Sequence, residues 1–172
     1  NIREEYKKHI VKMFQLAGMD EAQATKSMEA VMEIETRLAK VSYSAVEQRD
    51  PAANYHKMTL DELKKEIPGF DWDAYLNKLG VQGVTSLNVA QIPPVKEAVA
   101  IINTLPMDKQ IAYLQWKLID SAASYLSADF DEQNFAFYGK VMSGKKEQQP
   151  RWKRAVSTVN GVLGEAVGQM YV

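Results

Sequence analysis

Histidine is the side chain best suited to holding a metal or moving a proton near neutral pH, and this sequence has two, His9 and His56. A helical two-histidine zinc site needs the second imidazole four residues after the first, with a glutamate following the first, so that both rings face one ion. His9 is followed by Ile10, with Met13 four positions on; His56 is followed by Lys57, with Leu60 four positions on. Neither fits. His9, four residues after Glu5, reads as a surface residue of a helix. The chain has no cysteine, which removes thiolate zinc sites, disulfides and cysteine nucleophiles. Ser-His-Asp triads assemble in space rather than in sequence, yet no G-x-S-x-G elbow occurs. Ser143, in Val-Met-Ser-Gly-Lys, reads as a helix end.

No phosphate-cradling glycine loop is present either. Gly161, Gly164 and Gly168 fall inside a helical pattern and read as a smooth face for close approach of another helix. The carboxylate pairs Glu33/Glu35 and Asp129/Asp131 sit where solvated helix faces or caps are expected. Glu35 stands apart, because Met28, Val31, Met32 and Leu38 place it on a packing face. A carboxylate there needs an Arg, a Lys or N–H donors, and it reads as part of a buried structural ion pair. Lys140, Lys145, Lys146, Arg151, Lys153 and Arg154 form a basic run around Trp152, read as a solvated loop before a helix whose Trp packs inward. On these grounds the chain is assigned no catalytic, cofactor-binding or metal-ligating residue.

The composition agrees with an unspecialised surface. In 172 residues, 21 Lys and Arg face 22 Asp and Glu, so the net charge of −1 gives no electrostatic basis for nucleic-acid or anionic-membrane binding. No apolar run approaches the roughly 18–20 residues of a membrane span. With 46% hydrophobic residues the chain can bury a core.

The elements that carry these residues are helical, and the fold class expected is all-α, with about eight helices in one irregular domain over 1–172. Ile2, Tyr6, Ile10, Met13, Phe14 and Ala17 line one helix face, closed by Gly18. Asp20 with Gln23 opens a second helix that runs toward residue 45. Thr59-Leu60-Asp61-Glu62 is a capping box, and Asp71 caps another short helix. Residues 84–89 are the one expected strand, isolated or paired with chain outside this sequence. Pro93-Pro94 starts a helix to about Asn103. Pro106 starts the next, with Ile111, Leu114, Leu118, Ile119, Ala122 and Leu126 as its packing face. A further helix begins at Asp129 or Asp131 and ends at Ser143-Gly144. The last runs from Pro150 with Trp152, Val156, Val159, Leu163, Val167 and Met170 in register. The start at Asn1 and the end at Tyr171-Val172 read as cut points in something longer.

Several segments together resemble one family. Gly144-Lys-Lys-Glu-Gln-Gln-Pro150-Arg151-Trp152-Lys153-Arg154 leads through Val159-Asn160-Gly161 to Leu163-Gly164-Glu165-Ala166-Val167-Gly168-Gln169-Met170-Tyr171-Val172. This resembles the neprilysin (neutral endopeptidase) family, in which P-R-W-x-R precedes a helix ending in G-x-L-Y-V. Arg49-Asp50-Pro51, then Tyr55-His56-Lys57-Met58-Thr59 and Glu62-Leu63, is similar to the family's R-D-P…Y-x-x-M-T…E-L segment. Tyr113-Leu114-Gln115-Trp116-Lys117 is similar to its Y-L-x-W-[KR] helix, and Phe135-Ala136-Phe137-Tyr138 to the following F-x-F element. Ala155 stands where animal ectoenzymes of the family carry a cysteine, so the resemblance leans to bacterial, oligopeptidase-O-like members.

The resemblance implies a zinc metalloendopeptidase acting on oligopeptides, of which this chain is an internal fragment of the helical N-terminal cap. The family's H-E-x-x-H helix, its E-x-x-x-D segment and its N-A-Y-Y strand do not occur here, so zinc is implied for the parent enzyme and not for this fragment. The implied partners are the catalytic region of the same parent chain and peptide substrates, with self-association of the isolated piece through uncovered apolar surface. The implied location is the bacterial envelope, periplasmic or surface, or secretion. The competing expectation is a free-standing helical interaction module without enzymatic activity.

Overall fold

The structure is a computed structural model and describes residues 1–171. Val172, the last residue of the G-x-L-Y-V-like motif, lies outside the described residues. The fold is all-α, as the sequence predicts, but for one two-stranded ribbon. In chain order come α1 (Ile2–Leu16), α2 (Glu21–Val41), β1 (Lys57–Thr59), α3 (Leu60–Glu66), α4 (Trp72–Lys78), β2 (Ser86–Asn88) and α5 (Ile92–Thr104). These are followed by α6 (Met107–Ala122), α7 (Ala128–Asn134), a π-helix (Phe135–Met142), α8 (Arg151–Val162) and α9 (Gly164–Tyr171). Short 3₁₀ turns sit at Glu47–Arg49 and Ala123–Tyr125.

The helix starts follow from local chemistry. Asp20 accepts from the Gln23 N–H at 2.8 Å at the head of α2. Thr59 and Glu62 form the reciprocal capping box of α3, and Asp71 accepts from the Ala74 N–H at 2.9 Å. Gly18 at φ 98° and Gly144 at φ 64° take the left-handed conformation after α1 and the π-helix. Helix α2 stops at Val41, short of the expected residue 45. Ser42 is already extended there, and its hydroxyl and N–H both bond back to the Leu38 carbonyl.

The expectation of an isolated strand over 84–89, with no partner in this sequence, is corrected. Its centre, Ser86–Asn88, pairs antiparallel with Lys57–Thr59, in the register Lys57 to Asn88, Met58 to Leu87 and Thr59 to Ser86. The Asn88 side chain ties the ribbon's entry, accepting from the His56 N–H at 2.7 Å and donating to the Asn54 carbonyl at 3.2 Å. Three residues, even alternating as Lys57-Met58-Thr59 do, are too short to register as a strand in sequence.

Two apolar clusters result. One joins Ile10, Met13, Phe14, Ala24, Val31, Trp116 and Ala123 where α1, α2 and α6 meet. The other joins Leu63, Ile67, Trp72, Val89 and Val99 beneath the ribbon and α5. The Trp72 indole N–H donates to the Ile67 carbonyl at 2.9 Å, so its burial leaves no donor unmet. Helices α2 and α5 are tied by the Arg37–Glu97 ion pair at 2.6 Å and by Gln91, whose side-chain oxygen accepts from the Tyr43 N–H at 2.9 Å.

Two expected packing faces are left largely uncovered. On α6 the inward residues are Ala112, Trp116 and Ala123 just beyond its end, with Ile119 packed against them. Ile111, Leu114 and Leu118 point outward with Met107, and Leu126 is exposed as well. The helix has two apolar stripes, and the one with the larger aliphatic side chains is the uncovered one. The last helix is broken at Leu163 (φ −119°, ψ 32°) into α8 and α9. Trp152, Val156, Val159, Leu163 and Met170 are exposed along this arm. A Cβ added at Gly161, Gly164 or Gly168 would meet nothing within 4 Å. The expectation of an inward-packing Trp152 and a close helix against the three glycines is therefore not met among the described residues.

Candidate functional site

The most polar place inside the molecule lies where α1, α2, α6, α7 and the π-helix converge. Residues three and four apart on α1 put Tyr6, His9, Ile10 and Met13 on one face. The Tyr6 hydroxyl donates to the Glu35 carboxylate, 2.9 Å from Oε2 and 3.1 Å from Oε1. The Trp116 indole N–H donates back to the Tyr6 oxygen at 3.2 Å. One turn further along α6 the Tyr138 hydroxyl donates to Asp120 at 3.0 Å. Glu35 therefore sits on a packing face, as expected, but its partner is a phenol rather than a cation.

His9 corrects the reading most sharply. It is not a surface residue; it is 1% exposed. Its ring stacks on Phe137 with centroids 4.8 Å apart and meets Trp116 and Tyr138 edge to face, each at 5.6 Å. The Gln133 side-chain amide donates to Nδ1 at 3.1 Å, which leaves the ring proton on Nε2, and Nε2 has no hydrogen-bond partner. His56 is separate from this cluster, its Nδ1 lying 3.1 Å from the Val89 carbonyl beside the ribbon.

Burial sets the electrostatics here. It pushes the His9 pKa down to about 4 and raises the Glu35 carboxyl above its ordinary value against the opposing Tyr6 hydrogen bond. It likewise raises Asp120. Tyr6 and Tyr138 are raised by burial and then by the carboxylates they contact, Glu35 and Asp120 respectively. A phenol pushed upward is a poor base or nucleophile, and the carboxylate it caps is already engaged. The cluster ties α1, α2, α6 and the π-helix together through hydrogen bonds and ring contacts.

The other candidate groups do not converge with it. Glu33 pairs with Lys109 and Asp108 with Lys26, occupying the polar rim of a cleft of about 440 Å³ between α2 and the start of α6. Asp131 takes both guanidinium nitrogens of Arg154 at 2.9 Å, with Gln148 donating to the same carboxylate at 3.1 Å. Arg154 thus leaves the basic run to anchor the root of α8, while Lys153 lies over the exposed Trp152 ring, 5.4 Å from its centroid. Ser143 donates its hydroxyl to the Tyr138 carbonyl at 2.8 Å, a helix-end bond. Among the described residues no group of three or more His, Asp or Glu is placed to hold a metal, and no helix is long and apolar enough to cross a membrane.

The features sequence reasoning missed are therefore surfaces as much as residues. They are the outward stripe of α6 and the exposed arm of α8 and α9. Their periodicity was visible; their exposure was not, since periodicity marks a face to be covered without naming its cover.

Comparison with known proteins supplies a frame. The model for peptidase family M13 matches residues 1–172. Endothelin-converting enzyme 1 of Rattus norvegicus is 30% identical over 165 residues, covering 91% of this chain and 21% of the relative. Membrane metallo-endopeptidase-like 1 of Homo sapiens is 30% identical over 161 residues, covering 89% of this chain and 20% of the relative. The chain thus spans about a fifth of the length of the curated relatives it matches. Among solved structures, the zinc metalloprotease Zmp1 of Mycobacterium tuberculosis in its open state superposes with a TM-score of 0.93 at 30% identity, over 99% of this chain and 27% of that one. The partial open state of the same protease gives 0.81 at 29% identity, over 99% of this chain and 26% of that one. Sequence motifs, helix order and full-length superposition agree: the chain belongs to peptidase family M13, the neprilysin family, and carries that family's N-terminal helical region.

Proposed function

We propose that this chain is the helical cap of a zinc metalloendopeptidase that hydrolyses oligopeptides, acting as one unit over residues 1–172 and restricting by size what reaches the catalytic chamber. In this reading zinc and the catalytic groups are held by another part of the parent protein, and the chain contributes walls and closure rather than chemistry. The observation that carries the proposal is the outward apolar stripe Met107, Ile111, Leu114 and Leu118 on α6, in a chain of family M13 that spans about a fifth of its relatives. A helix apolar on two faces belongs to a larger core than the one it helps to form here. The same argument makes the catalytic region of the parent the partner of these faces. Self-association of the isolated piece follows from it, and in this reading, supported by the resemblance to bacterial members, the parent works in the envelope or outside the cell.

The test uses the full-length protein. It should bind one zinc per chain and cleave peptides up to a size limit while leaving folded proteins intact. Leu114→Glu with Leu118→Glu should lower peptide hydrolysis or relax that limit, with the helical circular dichroism retained. A full-length protein without zinc, or a double variant with unchanged activity and unchanged size limit, would overturn the cap reading.

A further inference from the structure

The buried imidazole of His9 takes no part in the hydrogen bonds around Glu35. We propose that His9 is an acid-sensitive latch that docks the π-helix onto α1, released when its ring takes up a second proton.

The geometry carries the argument. The π-helix is an uncommon conformation, and its contact with α1 is made through rings. Phe137 lies parallel to the imidazole at 4.8 Å and tilts against Tyr6 at 5.3 Å, while Tyr138 meets His9 edge-on. Gly139 is closely covered by Phe135, since a Cβ there would come within 2.3 Å of that ring. Neutral His9 fits this setting. It accepts one hydrogen bond from Gln133 and presents an aromatic face to Phe137.

Protonated His9 does not fit. Protonation puts a hydrogen on Nδ1, which breaks the bond from the Gln133 N–H and forces that amide to turn over. It also adds a second buried N–H to the Nε2 group that already lacks a partner.

No charge is placed to compensate. The groups facing the ring are Tyr6 from α1 itself, Trp116 from α6, Gln133 from α7, and Phe137 and Tyr138 from the π-helix. Glu35 of α2 is screened behind the Tyr6 hydroxyl and Asp120 of α6 behind the Tyr138 hydroxyl. Lys117, whose charge acts on both carboxylates, opposes any attraction they could offer.

The sign follows from linkage. A histidine held below its ordinary value of 6.5 takes its proton more readily when undocked. Docking is then fully supported above pH 6.5 and weakens as the pH falls toward about 4. By pH 5 the docking equilibrium should fall roughly 30-fold from its value at pH 7.5. Glu35 and Asp120, both raised, act in the opposite sense, since their protonation in the folded state favours it as the pH falls.

Hydrogen–deuterium exchange on the full-length protein, corrected for intrinsic rates, tests this segment by segment. In the unaltered protein, protection of residues 128–142 should fall roughly 30-fold between pH 7.5 and 5, with α2 and α5 unchanged. His9→Phe should abolish that fall, leaving protection constant or rising on acidification through Glu35 and Asp120. Gln133→Glu, which keeps His9 and places a carboxylate against Nδ1, should hold protection constant or raise it on acidification. The proposal fails if the unaltered protein shows no local fall, if His9→Phe keeps the same fall, if Gln133→Glu steepens it, or if α2 and α5 lose protection in parallel. None of these readouts depends on peptidase activity.

Discussion

Helix α1 and helix α8 show the same pattern in sequence and opposite fates in the fold. Both carry apolar residues at three- and four-residue steps. On α1 that face holds Ile10, Met13 and Phe14 at 0% exposure against α2 and α6. On α8 no residue is buried, and Trp152 is 65% exposed. What differs is the company each keeps. Helix α1 meets α2, α6, α7 and the π-helix, whereas α8 is fixed at its root by the Asp131–Arg154 pair and extends with α9 away from the clusters. An amphipathic pattern records that a face will be covered; only the rest of the protein decides when and by what.

The contrast can be broken by substitution, starting with the change of largest effect. Trp116→Ala removes a fully buried ring that touches Tyr6, His9 and Phe14, and should cost about 3–5 kcal/mol in urea unfolding. Gly139→Ala forces the Phe135 ring aside and should cost about 1–3 kcal/mol, with loss of aromatic circular dichroism before helical signal. Tyr6→Phe strips the donor from a half-buried carboxylate and should cost about 1–3 kcal/mol at pH 7. The Glu35 pKa is already raised, and losing the hydroxyl raises it further, so that penalty should shrink as acid neutralises the group. Unfolding at pH 7 and at pH 4.5 checks the sign; an equal loss at both would show that Glu35 is not the group being served.

Smaller effects sharpen the comparison from the other side. Asp20→Ala deletes the α2 cap and should cost about 1 kcal/mol. Trp152→Ala, on the arm, should change the stability of the isolated chain by no more than about 0.5 kcal/mol while lowering its self-association in sedimentation. A Trp152→Ala chain that unfolds as readily as Trp116→Ala would erase the distinction between the two regions.

Much of this was legible in the residues themselves. Asp20, the Thr59 and Glu62 box, Asp71 and the glycines at 18 and 144 mark boundaries because each satisfies or terminates a helix end by local chemistry. What was not legible depends on distant partners. His9 precedes Ile10 on the edge of the apolar face, and only the arrival of Phe137 and Trp116, more than a hundred residues later, turns that edge inward. Helix α6 offers two apolar stripes, and the choice between them is made by α1 and α2. The strand at 57–59 is too short to announce itself and exists because Ser86–Asn88 meets it. The family resemblance supplied what local chemistry could not, since its signal lies in the order of several weak motifs along the whole chain.

The β1–β2 ribbon has a consequence for how this lineage can vary. The chain leaves the body at Thr59 and returns at Ser86 through adjacent strands, roughly 4.8 Å apart, so the excursion between them begins and ends at one place. Its inner part, Leu63, Ile67 and Trp72, is pinned to Val89 and Val99, but the tip around Leu79 and Val81 is exposed. Residues can be added or removed at that tip without altering the distance between α2 and α5, because the ribbon absorbs the closure. Length differences among homologues should therefore gather between Leu79 and Thr85, and a fluorescent or affinity insert placed there should leave both helical clusters undisturbed.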